Sequence, residues 1–132
     1  MTAVINSEIG KDYLVIDFTG EAAIGLQGNI ANPEGVDLLI TNSYMYLVTP
    51  STAAATLNVG PGVSGADNSE CQGAVPLNGG AGTAWMGYHP AVTQDAALVV
   101  LWGANEFLTF TTAAASAVDC VAKFYVKYLR MA

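Results

Sequence analysis

The 132 residues are 52% hydrophobic and only 11% charged, and their formal net charge is −7. The length suits one domain spanning residues 1–132, able to bury roughly two-thirds of its unfolded surface without a staple. The acidic balance excludes a general nucleic-acid binder, because neutralising phosphates takes clustered Lys and Arg, and no apolar run is long enough to span a bilayer.

Ordinary soluble domains carry about 25% charged residues. A chain with so few has large uncharged surfaces, which are tolerable when buried against copies of itself. The expectation is therefore a homo-oligomer, a trimer or larger, or a component of a lattice. The start, Met1 to Glu8, lacks the basic and apolar stretches of a secretory signal, so none is expected.

Short alternating apolar runs punctuated by turn residues dominate, and no long stretch has a helical period. Tyr13 to Phe18 predicts a strand that turns at Thr19-Gly20-Glu21. A second runs from Ile24 to Ile30, where Gly25 and Gly28 predict a bulge or a close backbone contact. Asn32-Pro33-Glu34-Gly35 has turn chemistry at every position. Val36 to Val48 predicts one long bent strand or two hinged at Asn42-Ser43, closed by Thr49-Pro50-Ser51-Thr52. Thr56 to Gly60 is expected to pair with that run as a hairpin.

From Pro61 to Gly82 there are six glycines and two prolines, which predicts a long connection serving an interaction. Thr83–Tyr88, Leu98–Trp102 and Phe107–Thr111 follow as strands, the first two separated by a loop holding His89-Pro90 and Gln94-Asp95. Ala113 to Ala117 links small residues to the last strand, Val118 to Leu129. In that strand Cys120, Ala122, Phe124, Val126 and Tyr128 share one face. Val121, Lys123, Tyr125, Lys127 and Leu129 share the other, which is expected outside because it carries the lysines. The total of eight or nine short strands with a long Gly-rich connection predicts an all-β fold, a β-sandwich of jelly-roll type.

Catalytic readings fail on inventory. The lone His89 is held extended or in a turn by Pro90, and a nucleophile–base–orienter set or a zinc site needs more than it offers. Asp17, Asp37 and Glu106 lie near apolar strands, but nothing in their spacing pairs them as a glycosidase requires. Asp67-Asn68-Ser69-Glu70 resembles a fragment of a calcium loop without the remaining ligand spacing, and the glycines at 79, 80 and 82 lack the Lys-Ser/Thr of a phosphate loop. No catalytic, metal or cofactor residues are expected. Trp85, Tyr88 and Trp102 serve either as core or as a sugar platform. Cys71 and Cys120 form either one disulfide or two free thiols; a polar-loop cysteine opposite an apolar-strand cysteine favours free thiols.

Three of the four cations, Lys123, Lys127 and Arg130, fall in the last ten residues of an otherwise acidic chain. They form either a solvated strand face or a basic stripe that docks an acidic neighbour, and they are the predicted partner-binding residues.

Three stretches carry a resemblance: Asn32 to Thr41, Thr49 to Gly60, and Val121 to Leu129. They resemble small structural-gene proteins of tailed bacteriophages and prophages over about half the chain, and the Gly-rich centre adds nothing to the match. The resemblance implies a virion component, a capsid decoration or cement protein that contacts copies of itself and a major capsid or other virion protein. It supplies no active-site residues. The competing expectation is a carbohydrate- or receptor-binding β-sandwich on a phage tail or cell surface.

Overall fold

The computed structural model describes residues 3–7, 9–80, 82–86 and 100–131. Its strands, in chain order, are β1 (Ala3–Ile5), β2 (Tyr13–Thr19), β3 (Gly25–Ala31), β4 (Leu38–Thr49) and β5 (Thr56–Gly62). They continue with β6 (Gln72–Pro76), β7 (Ala84–Met86), β8 (Val100–Trp102), β9 (Phe107–Ala113) and β10 (Val121–Arg130). Among the described residues there is no helix, and every strand pairing is antiparallel.

Two sheets result. The six-stranded sheet runs β1-β2-β10-β4, and β7 and β8 share the remaining edge of β4. β7 lies opposite Tyr44–Tyr46 and β8 opposite Leu38–Ile40. The four-stranded sheet runs β3-β9-β5-β6. The sheets pack into a β-sandwich-like fold around one apolar cluster that includes Leu14, Ile16, Met45, Leu57, Val59 and Val126, all buried. Three rings bridge the layers. Phe110 of β9 stacks on Phe18 of β2 with centroids 5.6 Å apart and meets Phe124 of β10 edge-on at 5.5 Å. Aromatic pairs favour such offset and edge contacts.

The strand alternation expected for β10 is present, with Ala122, Phe124, Val126 and Tyr128 inward. The long run is one strand, β4, whose pairing with β10 slips at Thr41 and Val48 and so accommodates a bend without a break. The bulge expected in β3 falls at Gln27, which turns inward and is held by bonds to Ala23 O and Thr112 Oγ1.

Four expectations need correction. β5 does not form a hairpin with β4: the chain crosses after Thr49 into the other sheet, where β5 lies between β9 and β6. The Gly-rich segment is not one long connection. Pro61 and Gly62 finish β5, β6 follows, and Cys71, Val75 and Leu77 are core residues. With β6 and the short β1 the strands among the described residues number ten rather than eight or nine. Trp102 is fully buried, its indole N–H donating to the Glu106 carbonyl at 3.0 Å, so it is no sugar platform.

The turn at Asn32 ties both edges of the fold together. Its side-chain amide donates to the carbonyls of Val36, Trp102 and Gly103, while its oxygen accepts from Glu34 N and Gly35 N. Gly35 sits at φ +71°, a conformation that disfavours a Cβ.

Candidate functional site

The two outer faces of the sandwich differ in kind. Over the four-stranded sheet the segment 63–71 folds back and is clasped by side chains. Asn29 bonds Ser64, Asn58 and Thr111 both donate to Asp67 Oδ1 (3.0 and 2.7 Å), and Asn68 donates to Thr109 Oγ1. Gly60 and Gly62 make this possible: a Cβ on either would collide with Glu70 or Asn68, so the loop lies directly on β5. The bonds from Asn58 and Thr111 hold the Asp67 carboxyl below the usual carboxylate range. Asp67-Asn68-Ser69-Glu70 thus serves as a clasp, and among the described residues no group of three or more His, Cys, Asp or Glu is placed to hold a metal.

Over the six-stranded sheet the surface is apolar and aromatic. The alternation that sends Met45 and Leu47 inward sends Tyr44, Tyr46 and Val48 outward, and β2 and β10 add Tyr13, Val15 and Tyr125. Register aligns them in rows across the strands. Val15, Tyr125 and Tyr44 form one row; Asp17, Lys123 and Tyr46 a second; Tyr13, Lys127 and Asn42 a third. The tyrosines Tyr13, Tyr44, Tyr46 and Tyr125 stay 36–48% exposed, and Leu101, Val121 and Leu129 extend the apolar surface to its ends. A shallow groove of about 420 Å³ runs between them and reaches Lys127.

The predicted cations divide. Lys123 bonds Asp17 at 2.7 Å, and Asn6 donates to the other oxygen of that carboxylate. The bond to Asp17 raises the Lys123 pKa, opposed by partial desolvation. Arg130 leaves the outer face and reaches Glu34 at 3.3 Å; the other Glu34 oxygen accepts from the Tyr128 hydroxyl at 2.6 Å. Burial and then the carboxylate of Glu34 push the Tyr128 pKa up. Among the described residues the Lys127 ammonium has neither a hydrogen bond nor an ion pair. The stripe read in the sequence therefore contributes one unpaired charge to this face.

Other candidates are spread apart and locally employed. Asp37 accepts from Ala104 N, tying the start of β4 to the turn after β8, and Glu106 accepts from Gly103 N, closing that turn. Cys71 and Cys120 are free and buried. Desolvation, helped by Glu70, pushes the Cys71 thiol up, and burial pushes Cys120 to about 11, so neither is poised as a thiolate. Tyr88, His89, Pro90, Gln94 and Asp95 lie outside the described residues, and of Trp85 only its place in β7 is described.

Tyr125 was expected on the outer face of the last strand, but its partners there, Tyr13, Tyr44 and Tyr46, are the residues that sequence reading missed. Their signal was present in the i, i+2 spacing of Tyr44 and Tyr46, but it identifies a face only once the neighbouring strands are known. No protein-family model, curated protein or solved structure matches the chain.

Proposed function

We propose that this chain is a non-enzymatic structural protein of the virion, of the capsid decoration or cement type, that works by surface contact with copies of itself and with a lattice protein. The observation that carries the reading is the apolar, tyrosine-bearing outer face of the six-stranded sheet. Contiguous exposed patches of this kind mark interaction sites, and Tyr is enriched where interfaces form. The opposite face is already occupied by the molecule's own polar loop. The order β2-β10-β4-β7, with β1 and β8 added at the edges, facing β3-β9-β5-β6 supports the reading of the sandwich as a jelly roll, an architecture that occurs in viral capsid proteins.

Mass spectrometry of gradient-banded phage particles from the source organism tests the role. The reading expects the chain in fixed stoichiometry with the major capsid protein; particles that lack it would refute a virion function. The same groove supports a second reading, a carbohydrate- or receptor-binding module, because four tyrosines and one cation line it. A glycan that binds the isolated chain and is blocked by Tyr125→Ala would favour that alternative.

A further inference from the structure

The rows of the six-stranded sheet bear on what covers it. We propose that this face pairs with the same face of a second copy about a two-fold axis that lies in the interface, passes over Tyr125 and runs across the strands. The inference rests on the contact reading above and adds the partner, the symmetry and the register.

Area comes first. The ten residues of β10 extend about 33 Å, and the strands from β2 to the β7–β8 edge span about 15–20 Å. The flat footprint is on the order of 500–650 Å² per copy before side-chain relief, so two copies bury more than the roughly 1,000 Å² that separates specific interfaces from incidental ones.

Charge then selects the axis. The Asp17–Lys123 pair cancels internally, so Lys127 gives the central rows their net charge. An axis along the strands would set Lys127 against Lys127 of the second copy. An axis across the strands exchanges the rows on either side of Tyr125, each about 7 Å from it. It sets Lys127 opposite Lys123 of the second copy, whose charge its own Asp17 already neutralises, and leaves that Asp17 carboxylate about one strand spacing away, within reach of a long side chain. Tyr13 then meets Asp17 and Tyr46 meets Asn42, pairing hydroxyls with acceptors, while Val15, Tyr125 and Tyr44 lie along the axis and pack on their own copies. Aligned sheets cross at about −30°, which keeps positions this near the axis in register. A two-fold contact of this kind is self-complementary and closes at two copies.

Sedimentation equilibrium of the full chain over a dilution series tests the proposal. The expected species is a dimer of the 13.6 kDa chain. Tyr125→Lys, which sets like charges together on the axis, should weaken it on the order of 100-fold. Tyr125→Phe should leave it intact, and so should Val63→Lys on the loop over the other sheet; circular dichroism checks that each variant folds. In mixed dimers a short bis-maleimide should join a Lys127→Cys chain to a Lys123→Cys chain in preference to a second Lys127→Cys chain. A monomer at high micromolar concentration, a trimer, or the reverse cross-linking preference would overturn the proposal. So would a monomer whose Lys127 is shielded from acetylation by added oligogalacturonate, which would assign the face to an acidic glycan. Occupancy of virions is read separately on particles, so the virion role can fail while the dimer stands, and the reverse.

Discussion

Removing the ring of Phe110 should cost more than any single change on the outer faces. Phe110 is fully buried and is the ring through which β9 touches both Phe18 and Phe124 of the opposite sheet. A buried Phe hides 150–250 Å², worth about 4–6 kcal/mol at 25 cal/mol per Å². Measured Phe→Ala changes in cores run about 3–5 kcal/mol once the cavity relaxes. We expect Phe110→Ala to lose about 4 kcal/mol, a large share of the 5–15 kcal/mol typical of a domain. Phe110→Leu, which keeps most of the volume, should lose under about 1.5 kcal/mol. Urea unfolding at one fixed protein concentration reads both, since the proposed dimer would add stability that varies with concentration. With a slope near 2 kcal/mol/M the alanine variant's midpoint should fall by about 2 M. A loss below about 1.5 kcal/mol for Phe110→Ala, or an equal loss for the half-exposed Tyr125→Ala, would refute the claim that the ring stack holds the two sheets together.

Asn32→Ala should cost about 2–3 kcal/mol in the same assay, because it strips partners from three carbonyls and two amides at once; a loss under 0.5 kcal/mol would show the turn holds without them. Alkaline pH should destabilise the fold. Cys120, Cys71 and Tyr128 all have folded pKa values above their unfolded ones, so their contribution is complete below about pH 9 and is lost as pH rises through the folded values. Each such group lowers stability by about 1.4 kcal/mol per pH unit in that window, and a melting temperature flat from pH 8 to 11 would contradict the burial of all three. Reducing agent should leave the melting temperature unchanged, since no loop is closed by a bond between the free thiols; a fall would mean that they are bridged. Lys123→Gln should leave the urea midpoint nearly unchanged, because its pair with Asp17 is largely exposed and screened by solvent, and a clear fall in the midpoint would show that pair to be structural.

The readable elements of the fold were those whose pattern is self-contained. β2 and β10 alternate so regularly that their inward faces follow from the residues alone, and Gly25 with Gly28 marked the bulge beside Gln27. β6 was not readable: Gln72, Gly73, Ala74 and Pro76 are poor strand formers, Ala74 has a positive φ, and its strand form comes from lying along β5. β5 was assigned to the wrong partner because the crossover after Thr49 depends on which sheet has room, a property of the whole sandwich. Trp102 was ambiguous because Val100, Leu101 and Trp102 are all apolar, and only pairing with β4 decides which of them face the core. The cations show the same limit. Lys123 finds Asp17 across 106 positions of sequence, a distance over which residue order says nothing about contact.

On the proposed reading the tyrosine face is the working surface. Tyrosine nitration mapped by mass spectrometry, on the assembled form and on the same protein diluted to monomer, tests it most directly. Tyr44, Tyr46 and Tyr125 should react several-fold more slowly when assembled, while the buried Tyr128 should be slow in both states. Equal nitration of Tyr44, Tyr46 and Tyr125 in the assembled and monomeric forms would contradict it.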